Sequence, residues 1–392
     1  MPTITPQVAH LIDNLKESVT RMMAERSLIS TDDCTEKPSP IWSEALGAFK
    51  YLLNLPTEDF QNIRFHTELI DRGSMWRYWA PYPKLDPEAE ARDLGYLSAI
   101  ETIPQEYWLS EPPLPCMPRP LGVNFQGHVV NPNIVRYQTC VANLYLAGAF
   151  QFIDDSQNKQ IVVEIGGGSG GLAHGMINIL GGKVTYVLID LPEMLLLQGA
   201  FVALHNPAKA VYVYDKATFT RDFVSSEIFD FDVVLIPNYV VDRLKNLRDI
   251  AIFINMQSFQ EMSEQQIRSY LGLARDKLSY CIYSDNIDRH PYNENQFLLS
   301  HLLREYFDLY PDPEFYEKLY KGMDPFSYDS YKRYFGFGEG VRRTDRNMIE
   351  KILVKGTRKA DEALAVAKAK RLVSMIPGMK HVSRVARLAM GS

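Results

Sequence analysis

Cysteine is scarce in this chain. Its 392 residues hold four, Cys34, Cys116, Cys140 and Cys281, with no C-x-x-C pair. That excludes a disulfide framework or a thiolate metal site and reads as free thiols in a reducing compartment. Long apolar runs are missing too: none reaches the ~18 residues a membrane-spanning helix needs. The longest candidate, residues 140 to 152, contains Asn143 and Gln151 and reads as a core helix. The N-terminus has no basic-then-apolar leader, so the expected location is cytoplasmic. No clear carboxylate cluster stands out, and no metal site is predicted from the pattern.

The composition is that of an ordinary globular protein, 46% hydrophobic and 23% charged. The length suits a large core and two domains, since single cores stop growing near ~250 to 300 residues. The net charge of −6 conceals an asymmetry. Residues 341 to 392 hold thirteen Lys and Arg against four Asp and Glu, so the rest of the chain is distinctly acidic. An acidic body argues against nucleic acid as a partner, and the basic, alanine-rich tail is the candidate for peripheral contact with the inner face of a membrane or for homo-oligomerisation.

The most informative segment is Ile161-Val162-Val163-Glu164-Ile165 running into Gly166-Gly167-Gly168-Ser169-Gly170-Gly171. The apolar run suits a strand buried on both faces of a parallel sheet. The glycines permit close backbone approach to a ligand, and residues 172 to 180 carry apolar side chains at helical spacing. Strand, glycine loop and helix place a ligand at the carboxyl end of the strand. Gly166, Gly168 and Gly171 satisfy G-x-G-x-x-G, so the glycines alone admit a dinucleotide. Glu164 repels a pyrophosphate and suits an ammonium, which favours S-adenosylmethionine (SAM) over NAD. A second strand, 184 to 189, ends in Asp190-Leu191-Pro192, 24 positions beyond Gly166. Asp190 is placed to accept from a ribose diol, Leu191 to pack on an adenine, and Pro192 to open the next helix.

E-I-G-G-G-S-G-G at 164 to 171, I-D-L-P-E-M at 189 to 194 and I-N-M-Q-S-F-Q-E-M-S at 254 to 263 together resemble the class I SAM-dependent methyltransferases. Within them the chain most resembles the sugar O-methyltransferases of bacterial glycan and natural-product clusters, over roughly residues 120 to 290. The resemblance implies a Rossmann-like, doubly wound, mostly parallel α/β sheet with a mainly helical N-terminal region and a helical C-terminal tail. It implies SAM as cofactor, S-adenosylhomocysteine (SAH) as product and a sugar hydroxyl, glycan-borne or on a small molecule, as acceptor. The cofactor contacts it implies are Glu164, Gly166, Gly168, Gly170, Asp190, Leu191, Asn255, Arg136 at the methionine end, and Asp215 after the third strand, at the adenine. Plant-type relatives carry a histidine near the third motif. This chain has none there, so no such base carries over. An NAD(P)-dependent oxidoreductase, a methyltransferase for non-sugar small molecules, and a non-catalytic binding or scaffolding protein that keeps the fold with its basic tail as the working part are the alternatives.

Three regions are expected: an N-terminal helical and irregular cap, 1 to 130; a catalytic domain, 131 to 340, with an aromatic-rich lid at 291 to 340; and the basic tail, 341 to 392. Helices are predicted over 6 to 26, with Leu11, Leu15, Val19 and Met22 on one face, and over 42 to 54 and 134 to 150. Residues 56 to 130 read either as a cap over the site or as irregular packing on the sheet. Strands are predicted at 210 to 214, 231 to 238, 250 to 255 and 278 to 284. A helix over 263 to 278 opens with the capping box Ser263 and Gln266.

Methyl transfer from a sulfonium is largely a matter of alignment and desolvation, but an alcohol also needs a general base. The candidates lie after the strands flanking the sulfonium. Glu261 is the first choice, His290 the second and Asp285 the third. Asp285 and Asp288 are also the residues that would ligate a divalent metal, if one activates a sugar diol.

Overall fold

The structure, a computed structural model, describes residues 4–29, 37–67, 86–101, 103–113, 120–247, 249–288, 297–310 and 331–338. The expected basic tail and most of the expected lid lie outside these residues, as does His290.

A short antiparallel ribbon, β1 (Val123–Phe125) with β2 (His128–Val130), precedes the main sheet. The sheet strands are β3 (Gln160–Ile165), β4 (Val184–Asp190), β5 (Val211–Val213), β6 (Val233–Pro237), β7 (Ile250–Met256), β8 (Leu278–Ile287), β9 (Leu309–Tyr310) and β10 (Tyr331–Phe337). Their spatial order is β5-β6-β4-β3-β7-β8-β10-β9. The first six run parallel, and β10 is antiparallel to both β8 and β9. This is the doubly wound, mostly parallel sheet anticipated, with its order reversing between β3 and β7. Crevices for ligands open at the carboxyl ends of strands beside such a reversal.

Every residue of β3 and β7 is buried, as the continuous β-branched runs require of central strands. One position differs from expectation. The strand beside β4 is β6, because residues 211–213 form an extra edge strand beyond it. The residue entering the crevice next to Asp190 is therefore Asn238, which follows β6, and not Asp215, which follows β5.

Five helices matter for the site. The first, α1 (Pro6–Ser27), is capped by Thr5 and buries Val8, Ile12, Leu15, Val19 and Met22, so Ile12, not Leu11, centres its apolar face. Next come α2 (Pro132–Leu146), capped by Asn131, and α3 (Gly171–Leu180). They are followed by α4 (Pro192–His205), with Pro192 in its first turn, and α5 (Glu264–Lys277), where the Ser263/Gln266 capping box forms as read. The predicted 134–150 helix breaks at Gly148, whose φ of +77° starts a separate turn of helix at Ala149–Asp155.

The N-terminal helix packs on α4. Leu15 abuts Gly199, and Arg26 donates to both carboxylate oxygens of Glu193. Each apolar side chain of α1 buried this way contributes roughly 1.5–3 kcal/mol, and they belong to the same continuous core as the sheet. The predicted 42–54 helix is a short α-helix, Pro40–Ala45, followed by 3-10 turns, Leu46–Asn54. Of the aromatic segment near 335, Tyr334, Phe335 and Phe337 are buried, with Phe335 against Tyr283 and Phe337 against Tyr280. These three belong to the core. Among the described residues no helix is long and apolar enough to cross a membrane.

Candidate functional site

A cleft of about 280 Å³ opens at the carboxyl ends of β3, β4, β6 and β7. Its floor is the glycine loop. Gly166 adopts φ +72° and its N–H donates to Ile189 O at 3.0 Å, which ties the loop to the end of β4. A Cβ at Gly166 would run into the Ser258 side chain, so no other residue fits there. Gly170, at φ +85°, turns the chain into α3. Gly168 lines the cleft between them.

Two carboxylates face this space, one buried and one half-buried. Glu164 in β3 is 3% exposed, and its Oε2 accepts from Tyr186 Oη at 2.8 Å. Burial pushes its pKa up to about 7; the Tyr186 bond opposes the rise and the charge of Asp190 adds to it. Asp190, at the end of β4, accepts from its neighbour's amide, Leu191 N–H, at 2.7 Å and from the Gln198 side-chain amide. Burial pushes it up to about 7 against these donors and a Gly167 N–H, with Glu261 raising it further. Two acids held this way carry a desolvation cost that a bound cation relieves. Gln198 also donates to Gly168 O at 3.2 Å, bridging the second strand's acid to the loop.

The opposite wall is the turn after β7. Gln257 sits there at φ +61°, a conformation that costs a non-glycine residue roughly 1–2 kcal/mol. It is held by its N–H donating to Asp285 O at 2.8 Å and by Arg136 Nη1 donating to its Oε1 at 2.8 Å. Such strain concentrates at functional sites. Arg136, on α2, also donates to Asn133 Oδ1 at 2.8 Å and borders the cleft. Glu261 lines the cleft in a 3-10 turn, Phe259–Glu261, with Oε2 accepting from Trp42 Nε1 at 2.8 Å. Trp42 belongs to residues 37–49, which form the cleft's cover. Gln266, the capping-box residue of α5, pins that segment by donating to Lys37 O.

The structure thus brings together Glu164, Gly166, Gly168, Asp190, Leu191, Arg136 and Glu261 on one cleft. Gly170 stands just behind it. Three expected site residues stand elsewhere. Asp215 lies at the sheet edge, accepting from Ala217 N–H and 3.8 Å from Arg21. Asn255 is a brace under the wall: its amide donates to Ile165 O at 3.0 Å, while its Oδ1 accepts from Phe259 N–H and Asn286. Asp285 is buried within β8, away from the cleft lining. Asp288 accepts from Ser300 N–H and Oγ at 2.7 and 2.9 Å, a structural cap. No group of three or more His, Cys, Asp or Glu among the described residues is arranged to hold a metal ion.

Several contributors escaped the sequence. Asn238 replaces Asp215 beside Asp190, and only strand order reveals it. Trp42 opens the predicted 42–54 helix, and nothing local ties it to Glu261. Tyr186 had a signal: it lies opposite Val162, two residues before Glu164, and strand alternation puts it on the same face as Glu164.

No protein-family model matches this chain, and no curated protein sequence matches it. Solved structures with a similar chain course do exist. An O-methyltransferase family protein from Burkholderia thailandensis is 10% identical, over 84% of this chain and 96% of that one, with a TM-score of 0.30. A SAM-dependent methyltransferase from Aquifex aeolicus is 12% identical, over 50% and 92%, with a TM-score of 0.28. A family 2 O-methyltransferase from Planctomyces limnophilus, solved with apigenin, is 11% identical, over 86% and 97%, at 0.27. Likenesses of this strength fix no activity for this chain; the side chains of the cleft have to do so.

Proposed function

We propose that this protein is a SAM-dependent O-methyltransferase, and that its acceptor is a sugar hydroxyl. The observation that carries the cofactor reading is the pair of carboxylates lining the cleft, buried Glu164 and half-buried Asp190, at the carboxyl ends of adjacent strands beneath the glycine loop. Their desolvation is relieved by a ligand with an ammonium and a ribose, and a pyrophosphate would be repelled by them. When bound, SAM supplies a methyl carbon already activated by its sulfonium. The chain's own residues then have three tasks. Glu164 and Asp190 hold the positive and ribose ends. The cover over 37–49, pinned through Trp42 and Gln266, excludes water. Glu261, inside the cleft, takes the acceptor's proton during attack.

The acceptor class rests on the resemblance of residues 254 to 263 to the sugar-type group. A methylation assay with mass detection, run against nucleotide sugars and glycan extracts alongside phenolic acceptors, tests it; methylation confined to phenols sinks the sugar reading. Titration with SAM, SAH and NADH tests the cofactor, and NADH binding without SAM or SAH binding overturns it. For the base, Glu261→Gln is expected to abolish turnover with SAH affinity unchanged. Retained turnover removes Glu261 from the mechanism.

A further inference from the structure

Beneath the glycine loop lies an ion pair that methyl transfer itself does not call for. Arg64 and Glu111 are buried, their side chains 1% and 0% exposed. Arg64 Nε and Nη2 donate to the two Glu111 oxygens at 2.6 and 2.9 Å. Its Nη1 donates to Ser169 Oγ, inside the glycine run, at 2.9 Å. The guanidinium lies 4.6 Å from the centre of the Phe201 ring on α4. From the other side, Asn131 Nδ2 donates to Glu111 Oε2 at 3.0 Å, while Asn131 Oδ1 caps α2 by accepting from Ile134 N–H. That helix carries Arg136 and Tyr137 into the cleft, and Tyr137 Oη stands 3.5 Å from Ser169 Oγ.

A buried ion pair is a weak device for stability, since an apolar pair of similar volume often serves as well. It is a strong device for direction. Two of the guanidinium's donors are committed to one carboxylate, and its planarity then fixes where the third points. Here the third points at the loop that would meet the cofactor, and the carboxylate reaches the cap of the helix forming the facing wall. Arg64 also follows closely on the segment 37–49 that covers the cleft.

We infer that Arg64 is a positioning residue that sets the glycine loop for its ligand through Ser169, and that Glu111 relays the same constraint to α2. The inference deepens the cofactor reading above and rests on it. Occupancy of the cleft is then coupled to docking of the N-terminal segment that carries Arg64.

The test uses the full chain and two variants. Arg64→Met with Glu111→Leu replaces the pair by apolar side chains; its fold is checked by circular dichroism and melting temperature. Ser169→Ala leaves the ion pair in place and removes the loop's hydroxyl, with its contacts to Arg64 and Tyr137. The expected result is an SAH dissociation constant and a KM for SAM raised about tenfold, on the scale of one charge-assisted hydrogen bond, with kcat at saturating SAM unchanged. Amide exchange over 166–171 in the ligand-free variants is expected to quicken while the sheet stays protected. A merely structural role would lower the melting temperature and leave affinity and loop exchange alone. SAH affinity within twofold of wild type in both variants, if wild type binds SAH, overturns the inference and leaves the cofactor reading standing. If the double variant does not fold, Ser169→Ala alone decides. A wild type that binds no SAH sinks the cofactor reading, and unchanged loop exchange then disposes of the positioning role as well.

Discussion

Asp190 and Asp215 carry the same local signature, an acid directly after a β-favouring run, yet the fold separates them. Asp190 ends a strand beside β3, lines the cleft with Glu164 and is pushed up to about 7. Asp215 follows an edge strand, outside the cleft lining, and turns its carboxylate onto its own loop and toward Arg21. Strand order makes the difference: β6 lies between β4 and β5. An acid after a strand reaches this cleft when its strand lies beside the sheet's reversal and not at the edge.

The comparison can be broken by substitution. Glu164→Ala removes the acid nearest the reversal and is expected to weaken SAM binding at least 30-fold, about 2 kcal/mol, the lower end for truncating one side of a buried charge pair. Calorimetry measures it, and unchanged affinity would show that no cation sits there. Asp190→Ala is expected to cost about tenfold, on the scale of a hydrogen bond to a charged group; an unaltered dissociation constant removes it from the ribose. Asp215→Ala is the control, expected within twofold. A large loss there would return the adenine contact to β5.

The same pair makes binding sensitive to pH. The ordinary values of these acids are 4.5 and 3.8, and both are raised to about 7 in the folded chain. Between those limits the folded state holds more protons than the unfolded one, so their contribution to stability is fully present below about pH 4 and is lost as pH rises through about 7. A cation seated between them favours their charged forms. SAM or SAH binding at pH 7 is therefore expected to release protons, seen as a binding enthalpy that changes with the buffer's ionisation enthalpy. An enthalpy indifferent to buffer would contradict it.

The smallest expected effect concerns Asn255. As a brace and not a ligand contact, its replacement by Ala is expected to lower stability by about 1–3 kcal/mol, the cost of orphaning buried partners. SAM affinity in the folded fraction should change far less than with Asp190→Ala, which thermal denaturation and calorimetry together resolve. An affinity loss matching that of Asp190→Ala would restore Asn255 to the site.

Much was legible in the sequence because it is encoded over short distances. The β3 strand, the glycines at positive φ, Pro192 opening α4 and the Ser263/Gln266 capping box follow from local sterics, periodicity and capping chemistry. Glu164 and Asp190 were readable because each lies within two residues of a strand end. Which strands are neighbours was not readable, and Asp215 was misplaced for that reason; Asn255 turns its amide into the wall, and Asp285 lies inside a strand that runs on to Ile287. Strand order depends on which hydrophobic faces cover which, a property of the whole core.

What the sequence determined by itself is the cradle: a buried strand, a glycine loop and two acids suited to a cationic nucleoside. Tertiary structure alone decided the rest. It put Asn238 in the place of Asp215, laid Trp42 over Glu261, and set Arg64 with Glu111 beneath Ser169. These residues are 47 to 219 positions apart in the chain. No local propensity links side chains so distant; they meet because the folded core brings their polar groups together, where burial demands that they be paired.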